Sequence, residues 1–299
     1  MNINIKLKDL VVNIFTEEQI NKIPKFLQNK NFSLKKVNDI SSFISSCIDE
    51  SKDFKIAGEH RINDWENGWS GNGVYYSEDD EINNLPYYFK NNTHIRVGNE
   101  VYEDLSGFSE VFLLRSLQSV IFETYLKEFN ANSIIEYGCG TGSNISFLEK
   151  LYNKYNFYGT DWASSACKKL VENKIVSKSN AIKVDYFDKE TFFVPKEDNV
   201  IFTNASLEQS GEKYIDFMNY LFTSDSVAGG IHIEPIRDLL ELDTDLNIQS
   251  FNYAQKRGYL TNFYSFMKNT NNIRLLLAKD FGIGSKYISG YQVIVWKKN

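Results

Sequence analysis

Short apolar runs alternate with stretches of helical periodicity through the second half of the chain. The seven runs that predict strands lie at 133–138, 157–162, 181–187, 199–204, 229–236, 273–281 and 290–298. Apolar residues at helical spacing predict helices at 143–155, 164–174, 212–222 and about 249–268. Nearly continuous apolar runs are typical of a parallel sheet buried between helices. The pattern therefore predicts an α/β fold.

The last two predicted strands are joined differently from the others. The link between 273–281 and 290–298 is about eight residues long and contains glycine. A parallel crossover needs a dozen residues or more, so these two strands are expected to pair as an antiparallel hairpin.

The part of the chain before residue 133 does not show this alternation of strands and helices. A helical pattern at 104–129 opens the predicted domain 104–299, and residues 1–103 form an N-terminal extension that is mostly helical and irregular. Thr16 is the expected N-cap of a helix that Pro24 ends or bends. Residues 56–103 carry many aromatic side chains without a clear period, which fits either a lid over a substrate or a surface wrap.

The composition of the chain limits the kinds of molecule that it is expected to bind. The chain has 299 residues, 42% of them hydrophobic, and a formal charge of −6, so a broad basic face for nucleic acid is not expected. Its three cysteines have no CxxC spacing, which favours a reducing compartment. No run approaches the ~18 apolar residues of a membrane span. We therefore expect a cytoplasmic protein that acts on a small molecule.

A glycine-rich turn, IIEYGCGTGSN, joins the first predicted strand to the next helix. Its glycines, Gly138, Gly140 and Gly142, have the spacing G-x-G-x-G, whereas a dinucleotide site has G-x-G-x-x-G and a Walker loop ends in Gly-Lys-Ser/Thr. Glycine lets the backbone approach a ligand closely and take positive φ. The acid Glu136 just before the turn suits a ligand with an amino group better than a pyrophosphate.

The stretch EYGCGTG, together with seven strands in this order, resembles the class I S-adenosylmethionine-dependent methyltransferases over about 133–298. The resemblance implies a Rossmann-like seven-stranded mixed sheet, flanked by helices, with its last strand antiparallel between its neighbours. It implies S-adenosyl-L-methionine as cofactor and S-adenosyl-L-homocysteine as product. The positions that match the loop around the methionine part of the cofactor are Glu136, Gly138, Gly140 and Gly142.

The same resemblance assigns polar residues at the ends of the next strands. Asp161 matches the acid that binds both ribose hydroxyls, and Trp162 beside it is placed to pack on adenine. Asp185 and Tyr186 match positions near the adenine amino group, and Asn204 lies beside the methyl-transfer centre. Each of these polar residues could alternatively be a helix cap or a turn former.

Candidate catalytic residues follow the fourth and fifth strands. Methyl transfer needs alignment of the reactants and in some cases removal of a proton. His232 and Glu234 alternate along one strand and face the same side, and Glu208 follows the neighbouring strand. His232 is the predicted base, with a hydrogen-bonded structural histidine as the alternative. The three residues together could also ligate a metal, although we expect none.

The acceptor is the least determined part of the prediction. Aromatic faces and the acidic balance favour a sugar or sugar-nucleotide, and Lys256 or Arg257 could meet a phosphate or carboxylate. The chain is also similar to bacterial methyltransferases encoded with surface-polysaccharide genes, which implies O-methylation of a sugar or of a phosphorus-containing decoration. N-methylation, aminopropyl transfer and a non-catalytic cofactor-binding subunit are the alternatives.

Overall fold

A computed structural model describes residues 2–70, 74–75 and 84–299 of the chain. Two of the aromatic positions in the predicted lid or wrap, the side chain of Tyr75 and all of Tyr76, lie outside the described part. The strands are β1 (Asn2–Lys6), β2 (Asn31–Lys36), β3 (Val74–Tyr75), β4 (Leu85–Pro86), β5 (His94–Val97), β6 (Glu100–Asp104), β7 (Ser133–Tyr137), β8 (Asn156–Asp161), β9 (Ala181–Lys183), β10 (Asn199–Asn204), β11 (Val227–Glu234), β12 (Ile273–Asp280), β13 (Ile283–Ser285) and β14 (Gln292–Lys298).

Helices lie between most of these strands. They are α1 (Leu7–Leu10), α2 (Glu17–Lys22), α3 (Lys25–Gln28), α4 (Ile40–Glu50), α5 (Ile62–Ser70), α6 (Tyr88–Asn91), α7 (Ser109–Tyr125), α8 (Ser143–Leu151), α9 (Ser164–Glu172), α10 (Tyr214–Thr223), α11 (Asp245–Lys256) and α12 (Phe263–Asn269). Thr16 caps α2 as expected, because its side chain accepts from the Gln19 N–H while the Gln19 side chain accepts from the Thr16 N–H.

The central sheet has seven strands in the order β12-β14-β11-β10-β7-β8-β9. Strands β7 to β11 pair in parallel, whereas β14 lies antiparallel between β11 and β12. The predicted Rossmann-like mixed sheet is confirmed, including the antiparallel position of the last strand. The carboxyl ends of β7, β8, β9 and β10 consequently meet along one edge, where open α/β sheets bind ligands.

A second sheet lies beside the expected helices of the N-terminal part. Its order is β1-β2-β6-β5-β13, and every pairing in it is antiparallel. The sequence did not predict these strands. One of them, β13, comes from the short link between β12 and β14, so the N-terminal part is hydrogen-bonded to the C-terminal part of the chain.

Two of the predicted elements differ in the structure. The single helix expected at about 249–268 is two helices, α11 and α12, because Gly258 takes φ +66° directly after the first. The strand expected at 181–187 pairs only over β9, and the chain turns after it.

Helix α7 is buried along most of its length. Every residue from Ser109 to Phe122 is buried, including Glu110 and Arg115. A helix buried on all sides loses the polar stripe of a surface helix. Among the described residues, no helix is both long enough and apolar enough to cross a membrane.

Candidate functional site

The glycine turn after β7 has the backbone conformation that the sequence predicts. Gly138, Gly140 and Gly142 have φ of +70°, +52° and +76°. A Cβ on Gly138 would lie 2.4 Å from the Cβ of Ser206, and one on Gly142 would lie 2.3 Å from Leu170 Cδ2. Both the dihedral angles and the packing therefore require glycine here.

Asp161 at the end of β8 holds this turn in place. Its carboxyl group accepts from the Gly140 N–H and the Ala163 N–H, each at 2.9 Å, and only 4% of the residue is exposed. Burial raises its pKa to about 6. Trp162, the next residue, lies with its ring centroid 5.6 Å from that of Phe187.

Asp185 is a predicted cofactor residue that the structure places in a turn. The Asp185 carboxyl accepts from the Phe187 N–H at 2.9 Å, and its main chain hydrogen-bonds to Thr191. It closes a turn and does not line the cavity that Tyr186 and Phe187 do line. These contacts favour the alternative for Asp185, a turn former, over a cofactor ligand.

A chain of polar side chains connects Glu136 with Asn204. Asn144 donates to Glu136 Oε1 at 2.7 Å, and Gln118 donates to the side-chain oxygens of Asn144 and Asn204 at 2.9 and 3.1 Å. Glu136 lies behind Asn144 and does not reach the cavity itself, whereas Asn144 and Asn204 do. Burial raises the pKa of Glu136 to about 8.

Helix α5 of the N-terminal part covers this edge of the sheet. Trp69 packs on the glycine turn, since a Cβ on Gly140 would lie 3.1 Å from its ring. The Trp65 and Trp69 rings stack with centroids 5.5 Å apart. Glu66 accepts hydrogen bonds from the Ser165 N–H and hydroxyl, which ties α5 to α9.

These elements enclose a first cavity with an empty volume of about 830 Å³, its open mouth included. Its lining includes the turn after β7, both tryptophans of α5, and residues that follow β8, β9 and β10: Trp65, Trp69, Gly138, Cys139, Gly140, Thr141, Ser143, Asn144, Asp161, Trp162, Val184, Tyr186, Phe187, Asn204, Ala205, Ser206 and Gln209. The sequence thus predicted its polar floor but did not assign α5 as its cover.

His232 does not lie in this cavity. It is fully buried in β11, its Nδ1 lies 2.9 Å from Thr203 Oγ1, and its Nε2 accepts from the Trp296 indole N–H at 2.9 Å. Burial lowers its pKa to about 3, so the ring is neutral at physiological pH. Because neither ring nitrogen is open to a substrate, the prediction of His232 as the general base is wrong, and the structural alternative holds.

Replacing His232 by Ala is expected to lower the free energy of unfolding by roughly 2–4 kcal/mol, because the change leaves a cavity and an unpaired indole N–H. Urea unfolding measures this loss. His60→Ala, at an exposed position, is the matched control and should change stability by less than about 0.5 kcal/mol. A variant as stable as the wild type would contradict the structural role.

Glu234 holds the loop after β10. Its carboxyl group accepts from the backbone N–H groups of Ser206, Leu207 and Glu208, at 3.1 to 3.3 Å. Burial and the neighbouring Glu208 carboxyl raise its pKa. It does not line the first cavity, and its hydrogen bonds fix the position of the loop.

Glu208 is the predicted catalytic residue that does reach a cavity. Its Oε1 accepts from Gln209 Nε2 at 3.0 Å, whereas its Oε2 is buried without a hydrogen-bond partner among the described residues. Among the described residues, no group of three or more His, Cys, Asp or Glu side chains is placed to hold a metal ion.

A second cavity, with an empty volume of about 1310 Å³ including its open mouth, adjoins the first. Both cavities are lined by Trp65, Tyr88, Ala205 and Gln209. Ala205 takes φ +49°, a conformation that non-glycine residues adopt rarely and that clusters at functional sites. The turn after β10 is therefore where the two cavities meet.

Two acidic residues that line the second cavity, Glu50 and Glu110, were not assigned from the sequence. Glu110, in the first turn of α7, accepts hydrogen bonds from Tyr291 at 2.8 Å and from Asn92. Burial raises its pKa to about 7. A carboxylate inside an otherwise apolar helical pattern was the only signal of this residue in the sequence.

No family model and no curated protein sequence matches this chain. Solved structures do match in fold. A SAM-dependent methyltransferase from Anabaena variabilis has 13% identity over 82% of this chain and 98% of its own, with a TM-score of 0.45. The plantazolicin methyltransferase BamL, in complex with a triazolic desmethylPZN analog and SAH, has 18% identity over 60% of this chain and 82% of its own, with a TM-score of 0.41. Human N-acetylserotonin methyltransferase, in complex with SAM, has 15% identity over 64% of this chain and 57% of its own, with a TM-score of 0.41. The identities are low, and the assignments below rest on the residues of this chain.

Proposed function

We propose that this protein is a methyltransferase that uses S-adenosyl-L-methionine, releases S-adenosyl-L-homocysteine and methylates an oxygen of a small polar acceptor. The observation that carries the proposal is the pair of adjoining cavities at the carboxyl edge of the sheet. The first has the groups that such a cofactor needs, and the second has room and polar groups for an acceptor.

The residues around the first cavity fit the cofactor. The hydroxyl of Thr141 is buried and has no partner among the described residues, and the first turn of α8 opens without a side-chain cap. Backbone N–H groups at a helix start suit the carboxylate of the methionine part. At the other end, Asp161 offers carboxylate oxygens for ribose hydroxyls, and Trp162 and Phe187 offer ring faces for adenine.

When bound, the cofactor supplies an electrophilic methyl group on a sulfonium. The protein's part is to orient the acceptor, exclude water and take up the acceptor proton. Trp69 and Trp65 cover the first cavity against solvent. Gln209 and Ala205 line both cavities, and Glu208, which lines the second, is the proposed acceptor of the proton.

The acceptor we propose is sugar-like, such as a sugar, a sugar-nucleotide or a phosphorus-containing decoration. Tyrosine rings line much of the second cavity and suit the apolar faces of a sugar ring. A building block of a bacterial surface polysaccharide is the first acceptor to test. Three unpaired cysteines fit a cytoplasmic reaction.

Isothermal titration calorimetry with S-adenosyl-L-methionine and S-adenosyl-L-homocysteine tests whether the protein binds the cofactor and its product. We expect saturable binding of both, and no binding would refute the proposal. Release of S-adenosyl-L-homocysteine is then measured with a panel of sugars, sugar phosphates and sugar-nucleotides. Binding without release for every member of the panel would instead favour a non-catalytic binding protein or an acceptor outside this class.

Replacing Glu208 by Gln is expected to lower kcat for the active acceptor about 10²- to 10⁴-fold, the usual contribution of a general base. The KM for the cofactor should change little, because Glu208 does not line the first cavity. Glu212→Gln, an exposed neighbour, is the matched control. Unchanged kcat in the Glu208 variant would remove the residue from the mechanism.

A further inference from the structure

Arg257 is a buried cation at the wall of the second cavity. It follows α11 directly, and only 9% of the residue is exposed. Its Nη1 donates to the Tyr253 hydroxyl at 2.8 Å, while its Nε is buried without a partner among the described residues. A guanidinium has five N–H donors in a rigid fork, so most of its bonding capacity remains unused by the protein.

The other cations of this cavity already have anionic partners. Arg61 Nε lies 3.2 Å from Asp64, and Lys286 Nζ lies 2.6 Å from Glu50. No described carboxylate lies within ion-pair distance of Arg257. The carbonyl end of α11 offsets part of its charge, but a buried cation without a counter-ion remains costly. Such a cost is sustained where a ligand supplies the missing charge.

Aromatic rings support the guanidinium on its faces. The Arg257 Cζ lies 5.1 Å from the ring centroid of Tyr259 and 5.7 Å from those of Phe54 and Tyr253. Cation–π contacts stabilise the charge without consuming N–H donors. The donors therefore stay available to an oxyanion, which a guanidinium binds through paired N–H···O bonds.

Lys256, the other basic residue that the sequence offered for this role, points elsewhere. Its Nζ donates to the Ser51 carbonyl at 2.9 Å, and it does not line the second cavity. The two adjacent cations therefore have different contacts: Lys256 joins α11 to the N-terminal part of the chain, whereas Arg257 lines the second cavity.

We propose that the acceptor carries a carboxylate or a phosphate, and that Arg257 binds this anionic group in the second cavity. The proposal rests on the proposed function and specifies its substrate class. The carboxylates of Glu208 and Glu110 line the same cavity, so an anion is favoured only where it contacts Arg257. Arg257 would therefore fix which oxygen of the acceptor faces the first cavity.

The experiment measures binding of anionic ligands and of their neutral analogues to the full chain saturated with S-adenosyl-L-homocysteine. Benzoate is compared with benzamide, and phenyl phosphate with phenol, by titration calorimetry. We expect at least one anion to bind about 10- to 100-fold more tightly than its neutral counterpart, as a charge-assisted pair allows. The better of the two anions identifies the anionic group as a carboxylate or a phosphate.

Variants assign the difference to one side chain. Arg257→Gln should remove the preference for the anion and leave binding of the neutral ligand within about twofold, while Arg257→Lys should keep part of it. Lys256→Gln is the matched control and should retain the full preference. Near-ultraviolet circular dichroism checks that each variant folds. If Arg257→Gln does not fold, the preference for the anion is compared between the wild type and Arg257→Lys alone.

Two results would overturn the inference: equal affinity of the wild type for charged and neutral ligands, or an anion preference that survives in Arg257→Gln. Failure of the proposed function looks different. In that case the wild type does not bind S-adenosyl-L-homocysteine at all, whatever the anions do.

Discussion

Replacing Asp161 by Asn is expected to weaken binding of S-adenosyl-L-methionine at least about 100-fold. Both carboxylate oxygens accept a backbone N–H, from Gly140 and Ala163, and each retains a lone pair for a ribose hydroxyl. An amide turns one oxygen into a donor that faces an N–H. Loss of two charge-assisted bonds of about 1.5–3 kcal/mol each gives this magnitude. Titration calorimetry measures it.

Asp185→Asn is the matched control for this result. It makes the same chemical change at the end of the neighbouring strand, where the carboxyl group only closes a turn on Phe187. Its affinity for the cofactor should stay within about threefold of the wild type. Equal effects of the two substitutions would contradict the assignment of Asp161 as the ribose ligand.

The same carboxyl group predicts how cofactor binding depends on pH. Burial raises the pKa of Asp161 to about 6 in the protein alone, and hydroxyl donors favour its ionised form. Affinity should therefore fall as pH drops below about 6, by up to tenfold per pH unit. Asp161→Asn should lack this dependence.

The second large effect is a loss of stability as pH rises from 6.5 to 8.5 in the absence of ligands. Burial raises the pKa of Glu136 to about 8 and that of Glu110 to about 7, from an ordinary 4.5. An acid with a raised folded-state pKa contributes stability below its unfolded pKa and loses it as pH rises through the folded pKa. The two shifts together predict a loss of about 2 kcal/mol across this window.

Urea unfolding at several pH values checks this prediction. Below pH 6.5 the buried His232 acts in the opposite direction, because it protonates more readily when unfolded. The window above 6.5 therefore excludes His232, while Glu234, whose pKa burial also raises, adds to the loss. Glu136→Gln should reduce the slope, whereas Glu149→Gln, exposed on α8, should leave it unchanged. A flat profile for the wild type would refute the buried-acid account.

The cofactor side of the site was largely predictable because it depends on local rules. The glycine spacing, the strand it follows and the acid at the end of the next strand are all close in sequence. Parallel strands bring their carboxyl ends to one edge, so Gly138, Asp161 and Asn204 had to meet there. Asp185 is less determined by this rule, because a residue just past a short strand can also close its own turn.

The prediction of His232 as the general base failed for a geometric reason. Alternation along β11 put His232 and Glu234 on one side, but it did not say how far along the strand the cavity begins. Two residues are about 6.6 Å of strand, which leaves His232 inside the core against Trp296. Glu234, nearer the end, holds the loop that carries Glu208.

The sequence by itself determined the order of strands and helices, the antiparallel hairpin and the floor of the first cavity, because periodicity and turn chemistry are local. Only the tertiary structure decided the acceptor side. Glu110, Glu208 and Arg257 come from distant parts of the chain, and α5 and the second sheet lie where long-range packing places them. Contacts between segments far apart in sequence leave no periodic signal, so the second cavity could be recognised only once the chain had folded.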